Sequence, residues 1–157
     1  MSDIQKAENA AKNYRLLCAA LDHRGWRYEK EDDRMAVIFK VTGEDLPMLF
    51  RVAIDTPRQL ARFSCFFPFK MSEEKRIDGA IATCAASQHL AMGGFDYDIS
   101  DGEIMFRINA HFLDSELSED LFNYLISMSC KIVDTYNDQF LAIDKGLISL
   151  ESFLDRN

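Results

Sequence analysis

The chain has 157 residues, of which 48% are hydrophobic and 28% are charged, and its net charge is −8. This length and this apolar content are sufficient for a sizeable core, and together they exclude a disordered chain. The negative charge, with no cluster of Lys and Arg, disfavours nucleic-acid binding and an anionic membrane surface, because both partners are recognised mainly through cationic side chains.

The first half of the chain predicts one helix and four strands. Alanine, tyrosine and leucine recur at helical spacing from about Ser2 to Asp22, and Gly25 ends this helix. Short alternating apolar runs then predict strands over about 26–29, 34–41, 48–55 and 60–69. Between the last two strands, TPRQ is predicted as a four-residue turn with Pro57 at its second position.

The second half predicts a helix, a hairpin and a long helix. Ser72 caps a helix that extends to about Met92, where a pair of glycines ends it. Its apolar stripe, which we expect to pack on the sheet, consists of Ile77, Ala80, Ile81, Cys84 and Ala85. The long helix is expected over about 118–145, and a last helical turn is expected within 147–154.

The predicted order of elements is α-ββββ-α-ββ-α. Short turns and alternating patterns favour antiparallel pairing, so we predict an α+β fold in which the helices pack on one face of an antiparallel sheet. No linker rich in Pro, Gly or Ser divides the chain, and we therefore predict a single domain over residues 1–157.

The N-terminal sequence and the cysteines both predict a cytoplasmic protein. The N-terminus MSDIQKAENAAKNYR is polar and charged, and no apolar run approaches the roughly 20 residues that span a bilayer. The cysteines are far apart and lie within apolar patterns, at Cys18, Cys65, Cys84 and Cys130. We therefore expect reduced thiols in the core.

The acidic segment FDYDISDGE, residues 95–103, is the strongest candidate for a cation site. An EF-hand loop that starts at Asp96 would place Asp101 where the loop needs glycine, and Arg107 where it needs its last carboxylate. The alternating residues on both sides of Asp101-Gly102 instead predict a β-hairpin with a two-residue turn. We therefore expect the carboxylates to lie on the solvated face of a hairpin.

The predicted hairpin has a defined register. Its facing apolar pairs are Ile99–Ile104, Tyr97–Phe106 and Phe95–Ile108. On the other face, Asp98 faces Met105 and Asp96 faces Arg107. We expect the Asp96–Arg107 ion pair to be weak, because exposed pairs contribute roughly 0–1 kcal/mol.

No motif in the sequence predicts a reaction. The chain has three histidines, His23, His89 and His111, and they show no spacing typical of zinc ligands. His89 lies five residues after Cys84 on a predicted helix, about 140° around it, so the two side chains do not form a dyad. The glycine pair follows a helix, whereas a phosphate-binding loop precedes one. We therefore expect no catalytic residue, no metal and no cofactor.

The segment FDYDISDGEIMFRINAHF and the helix end VDTYNDQFLAIDKG resemble the YbjN-like bacterial proteins, whose proposed role is sensory transduction regulation. The resemblance includes Tyr136, Phe140 and Gly146. It implies a fold like that of type III secretion chaperones, which are small, acidic, cytoplasmic homodimers that hold an extended segment of another protein. It implies no catalytic residues.

Three functional hypotheses remain at this point. The first is a non-enzymatic protein-binding module, either a bacterial regulator or a chaperone-like adaptor, whose partner is another protein or an extended peptide segment. The second is a structural or assembly subunit. The third is an enzyme whose site forms across a dimer interface, which would contain a deep pocket with a perturbed titratable group.

A homodimer is predicted from the long helix, because a helix that lies on one sheet needs a single apolar stripe. One stripe consists of Leu121, Leu125, Ile132, Tyr136, Phe140 and Ile143. A second stripe consists of Phe122, Ile126, Cys130 and Val133. The alternative is that the N-terminal helix covers the second stripe.

A partner-binding face is predicted from the strand registers. With TPRQ as a four-residue loop, Val52 faces Phe63, and with TGEDLP as the preceding loop, Val37 faces Val52. Both registers place one apolar set beneath the helices. The opposite face then carries Ile38, Lys40, Leu49, Arg51, Arg62, Ser64 and Phe66.

This face is mixed, whereas a solvated sheet face is usually polar throughout. Three cations lie among three large apolar side chains, and Arg beside apolar anchors is common in protein interfaces. Two alternatives stay open. Single exposed apolar residues are normal, and residues 87–157, with 4 basic against 13 acidic residues, could dock on this face of a second copy.

Overall fold

A computed structural model describes residues 1–156 as four helices packed on a six-stranded antiparallel sheet. This confirms the predicted α+β class and the predicted order of elements. The helices are α1 (Asp3–His23), α2 (Arg76–Gln88), α3 (Glu119–Asp144) and α4 (Leu150–Leu154). The strands are β1 (Glu29–Glu31), β2 (Ala36–Thr42), β3 (Pro47–Asp55), β4 (Leu60–Lys70), β5 (Gly94–Asp98) and β6 (Glu103–His111).

The strands lie in the order β1-β2-β3-β4-β6-β5, so that β6 pairs with β4 and β5 forms an edge. The predicted registers of the three central strands are confirmed, with Val37 opposite Val52 and Val52 opposite Phe63. Alternate residues of these strands form the core with the helices. None of the described helices is both long and apolar enough to cross a membrane.

The predicted start of the first strand is wrong by three residues, because Trp26 belongs to the end of α1. Gly25 adopts a left-handed conformation with φ of +69°, and the Trp26 N–H donates to the Leu21 carbonyl at 3.0 Å. This is the hydrogen bond of a glycine-terminated helix. The Trp26 ring then packs edge-on against Phe39 of β2, at 5.3 Å between centroids, and β1 begins only at Glu29.

The predicted hairpin exists, but its register is wrong by two residues. Asp98 pairs with Glu103, so the loop contains the four residues 99–102, and the Gly102 N–H donates to the Asp98 carbonyl at 2.7 Å. The exposed side chain of Ile99 belongs to this loop and pairs with nothing across the ladder. A shift of two residues keeps the side chains that remain in the two strands on their predicted faces, so Phe95 still lies on the core side.

The Asp96–Arg107 ion pair forms as predicted, although the two residues are diagonal neighbours in the observed register. Two hydrogen bonds join them, from Arg107 Nε to Asp96 Oδ2 at 2.6 Å and from Nη2 to Oδ1 at 3.0 Å. Both side chains are about two-fifths exposed, with relative accessibilities of 41% and 42%.

Because water screens this pair, we expect Arg107→Ala to lower the free energy of unfolding by about 1 kcal/mol at most. The melting temperature should therefore change little. Phe106→Ala, at a fully buried neighbour, should lower it by several degrees. Thermal denaturation followed by circular dichroism measures both changes, with and without calcium. Stabilisation by calcium, or a larger loss in the Arg107 variant than in the Phe106 variant, would contradict this interpretation.

The predicted apolar stripe of α2 is wrong. The buried residues of this helix are small, namely Gly79, Ala82, Thr83 and Ala86. Ile77 and Ile81 are 60% and 43% exposed, and Cys84, predicted as a core thiol, is exposed as well. A Cβ atom on Gly79 would lie 2.7 Å from Met71 Cγ and 2.8 Å from Tyr97 Oη. The helix therefore turns its small residues toward the sheet, and at Gly79 a larger side chain would not fit against Met71 and Tyr97.

The predicted long helix is confirmed, with Ser118 as its N-cap, but the argument for a homodimer from it is wrong. The Ser118 hydroxyl accepts from the Leu121 N–H at 3.1 Å. Both predicted apolar stripes lie largely inside a single chain, where Leu125 and Phe122 are almost fully buried. The helix therefore needs no second copy to cover it, and the oligomeric state stays a prediction.

Candidate partner-binding face

The seven residues predicted for a partner-binding face lie together on the side of the sheet that faces away from the core. Ile38, Arg51 and Ser64 are directly opposite one another across β2, β3 and β4. The next row contains Lys40, Leu49 and Phe66. Arg62 lies in the row on the other side, opposite Ala53. We call this surface the open face.

Strand β6 extends both rows, and the sequence did not predict this. Ser64 is opposite Arg107, and Phe66 is opposite Met105. The second row is therefore apolar from Leu49 to Met105 and has Lys40 at its end. The sequence carries no signal for this extension, because strand periodicity predicts which face a residue occupies but not which distant strand lies beside it.

Two of the three predicted cations on the open face are neutralised by carboxylates. Arg51 Nε lies 2.9 Å from Glu31 Oε2, and Arg62 Nη2 lies 3.5 Å from Asp55 Oδ2. Burial acts to raise the pKa of Asp55, but hydrogen bonds from Arg58 and the charges of Arg58 and Arg62 outweigh it and hold this pKa below its ordinary value. Within residues 1–156, Lys40 forms no ion pair.

The ladder between β3 and β4 ends at the Leu49–Phe66 pair, although both strands continue. The same register continued by two residues would place Pro47 opposite Pro68, and neither residue has an N–H to donate. On its other side β4 bulges away from β6, because three residues separate Phe66 from Lys70 whereas a single one separates their partners. Beyond the Leu49–Phe66 pair, β4 consequently separates from both β3 and β6.

A groove of about 550 Å³ lies where these strands separate, at the edge of the open face. Its apolar lining includes Pro47, Leu49, Phe66 and Pro68, and Lys40 lies at the rim. We call this the proline groove. Its two prolines were not predicted as site residues, although the predicted register of Val52 opposite Phe63, continued by five residues, would have placed them opposite each other.

The far rim of the proline groove contains Lys70 and Glu103. Lys70 Nζ lies 3.5 Å from Glu103 Oε2 and also forms an ion pair with Asp101. The hydrogen bond to Asp101 is the main cause of the raised pKa of Lys70. The charges on this rim therefore compensate one another, whereas the charge of Lys40 on the near rim does not have a counterpart.

The acidic segment 95–103 uses its carboxylates within the protein. Asp98 Oδ1 accepts from the Ser100 N–H and hydroxyl, at 2.9 Å and 2.6 Å. Asp101 Oδ1 accepts from the Glu103 N–H at 3.0 Å. Across residues 1–156, no group of three or more His, Cys, Asp or Glu side chains has a geometry that could hold a metal ion. The predicted absence of a metal and of a cofactor stays a prediction.

Over residues 13–142 the chain matches the family described as "YbjN: Putative bacterial sensory transduction regulator". Among solved structures, the chain is similar to "YbjN, a putative transcription regulator from E. coli", with a TM-score of 0.59 and 10% sequence identity. The similarity covers 80% of this chain and 92% of that one, and at this identity it shows a shared fold. No match was found among curated proteins.

Proposed function

The chain belongs to the YbjN family, whose description is "Putative bacterial sensory transduction regulator", and from this premise we propose that it is a non-enzymatic, protein-binding adaptor. We propose that its partner docks on the open face. The observation that carries the proposal is an apolar row, with 40% of Leu49 exposed, which no described element covers. Aliphatic and aromatic side chains beside Arg are typical of the centre of a protein interface.

The paired arginines favour a specific partner over nonspecific adhesion. Arg51 and Arg62 are held in place by Glu31 and Asp55, so they present oriented donors to an incoming chain at a small entropic cost. We propose another protein or an extended segment of one as the partner, in the bacterial cytoplasm. A structural or assembly subunit is the second candidate, and the same exposed row supports it. The two differ in whether the partner dissociates.

The experiment is affinity capture from bacterial lysate followed by mass spectrometry, with a doubly substituted open face. We expect Arg51→Glu with Phe66→Ser to lose the partners that the unmodified chain captures, because the variant reverses a charge and removes an apolar anchor. The matched control is Arg15→Glu with Tyr124→Ser, on exposed positions of α1 and α3.

Circular dichroism and light scattering of both variants separate loss of binding from loss of fold and from a change of oligomeric state. If the folded open-face variant keeps both its captured partners and its oligomeric state, the partner does not bind this face. Capture of partners that never dissociate on dilution would favour the assembly subunit.

A further inference from the structure

We propose that the proline groove binds an extended peptide segment in which a large apolar side chain lies next to a carboxylate, with the carboxylate paired to Lys40. This inference rests on the proposed function, because it specifies how a protein partner is recognised on the open face. It adds the chemistry of the bound segment and names Lys40 as the residue that pairs with its carboxylate.

The apolar component follows from the lining of the groove. Pro47 and Pro68 line it, and Leu49 and the half-buried Phe66 contribute further apolar surface. The volume of about 550 Å³ is large enough for an aromatic or branched side chain together with its neighbours. Such a side chain would replace water over Leu49 and Phe66, and removal of apolar surface from water is the main source of affinity in such contacts.

An extended backbone fits the position of the groove. It begins where β3 and β4 cease to pair, and the segment 67–69 of β4 is paired in register with neither β3 nor β6. The groove is therefore open along the line of the strands, where a chain can enter and leave. An enclosed small-molecule site would instead surround most of its ligand.

The preference for a carboxylate in the bound segment follows from the unequal charges of the two rims. Lys70 on the far rim is bound by Glu103 and Asp101, whereas Lys40 on the near rim forms no ion pair within residues 1–156. A carboxylate on the partner would complete a pair with Lys40 beside an apolar surface, where charge-assisted contacts are stronger than in open water. The net charge of −8 opposes an acidic partner weakly, because salt screens charges beyond about 10 Å.

The test is the selection of random 12-residue displayed peptides on the immobilised full chain and, in parallel, on its Lys40→Glu variant. We expect the unmodified chain to enrich peptides with Asp or Glu next to an aromatic or aliphatic residue. The variant should enrich Lys or Arg at the same position, because its rim charge is reversed. Enrichment of the same sequences on both proteins, or of none on either, would overturn the proposal.

The best peptide is then synthesised, and its dissociation constant is measured by fluorescence polarisation. We expect Lys40→Glu and Phe66→Ser each to weaken binding at least tenfold. Lys131→Glu, the same charge reversal on the exposed surface of α3, should leave binding unchanged. Equal weakening by the Lys40 and Lys131 variants would show attraction by net charge alone and would contradict a site at the groove.

The outcomes distinguish this inference from the proposed function. If capture of partners requires Arg51 and Phe66, but the same peptides are enriched with Lys40 and with Glu at position 40, the open face binds protein and the inference about the groove is wrong. If the enriched peptides change charge with the residue at position 40, but the open-face variant still captures the cellular partners, the inference holds and the proposed function fails. Binding of decanoate without any enriched peptide would assign the groove to a small amphipathic acid and overturn the inference.

Discussion

Replacement of Phe140 with alanine should lower the free energy of unfolding by about 3–5 kcal/mol, the range typical of deleting a buried phenylalanine. Phe140 is fully buried in α3 and contacts rings from three other elements. Its ring centroid lies 5.7 Å from Phe67 of β4, 5.3 Å from Phe95 of β5 and 6.0 Å from Phe153 of α4. The cavity would therefore open where the sheet and two helices meet.

Urea denaturation measures this loss, and the melting temperature should fall by roughly 10 °C for a chain of this size. Tyr124→Ala is the matched control, because this residue lies on the same helix but is 58% exposed. We expect the control to lose less than about 1 kcal/mol. A Phe140 variant as stable as the Tyr124 variant would show that this ring cluster does not hold α3 to the sheet.

Replacement of Asn13 with alanine is expected to cost about 3 kcal/mol, because it leaves the buried Leu117 N–H and the partly buried Ser115 carbonyl without their partners. Asn13 lies on α1, is fully buried and binds the segment between β6 and α3. Its Nδ2 donates to the carbonyls of Asn9 and Ser115, at 3.0 Å and 3.1 Å. Its Oδ1 accepts from the buried Leu117 N–H at 2.9 Å.

The same denaturation experiment on Lys12→Ala provides the control for Asn13→Ala. Lys12 is the preceding residue of α1, and its pair with Glu116 is long, at 3.8 Å, and more than half exposed. We expect this control to change stability by less than about 0.5 kcal/mol. Equal losses in the two variants would mean that the buried amide does not anchor the connection into α3.

The central sheet and the open face were predictable because their signals are local. Two short loops set the registers of β2, β3 and β4, and a single slip would have moved an entire apolar set into water. The signals for the two ends of α3 were equally local, since Ser118 caps its start and Gly146, with φ of +69°, follows its end. The open face followed, because in a strand the residues between core positions must point the other way.

The sequence by itself therefore determined the fold class, the central registers and the membership of the open face, whereas tertiary contacts decided the rest. Gly102 packs against the Met71 backbone, whose N–H donates to the Gly102 carbonyl at 2.9 Å, and this contact selects a four-residue loop over the tighter turn. Tyr97 and Met71 leave room only for Gly79, so α2 exposes its isoleucines. In each case a neighbour distant in sequence limits the space, and close packing overrides local preference.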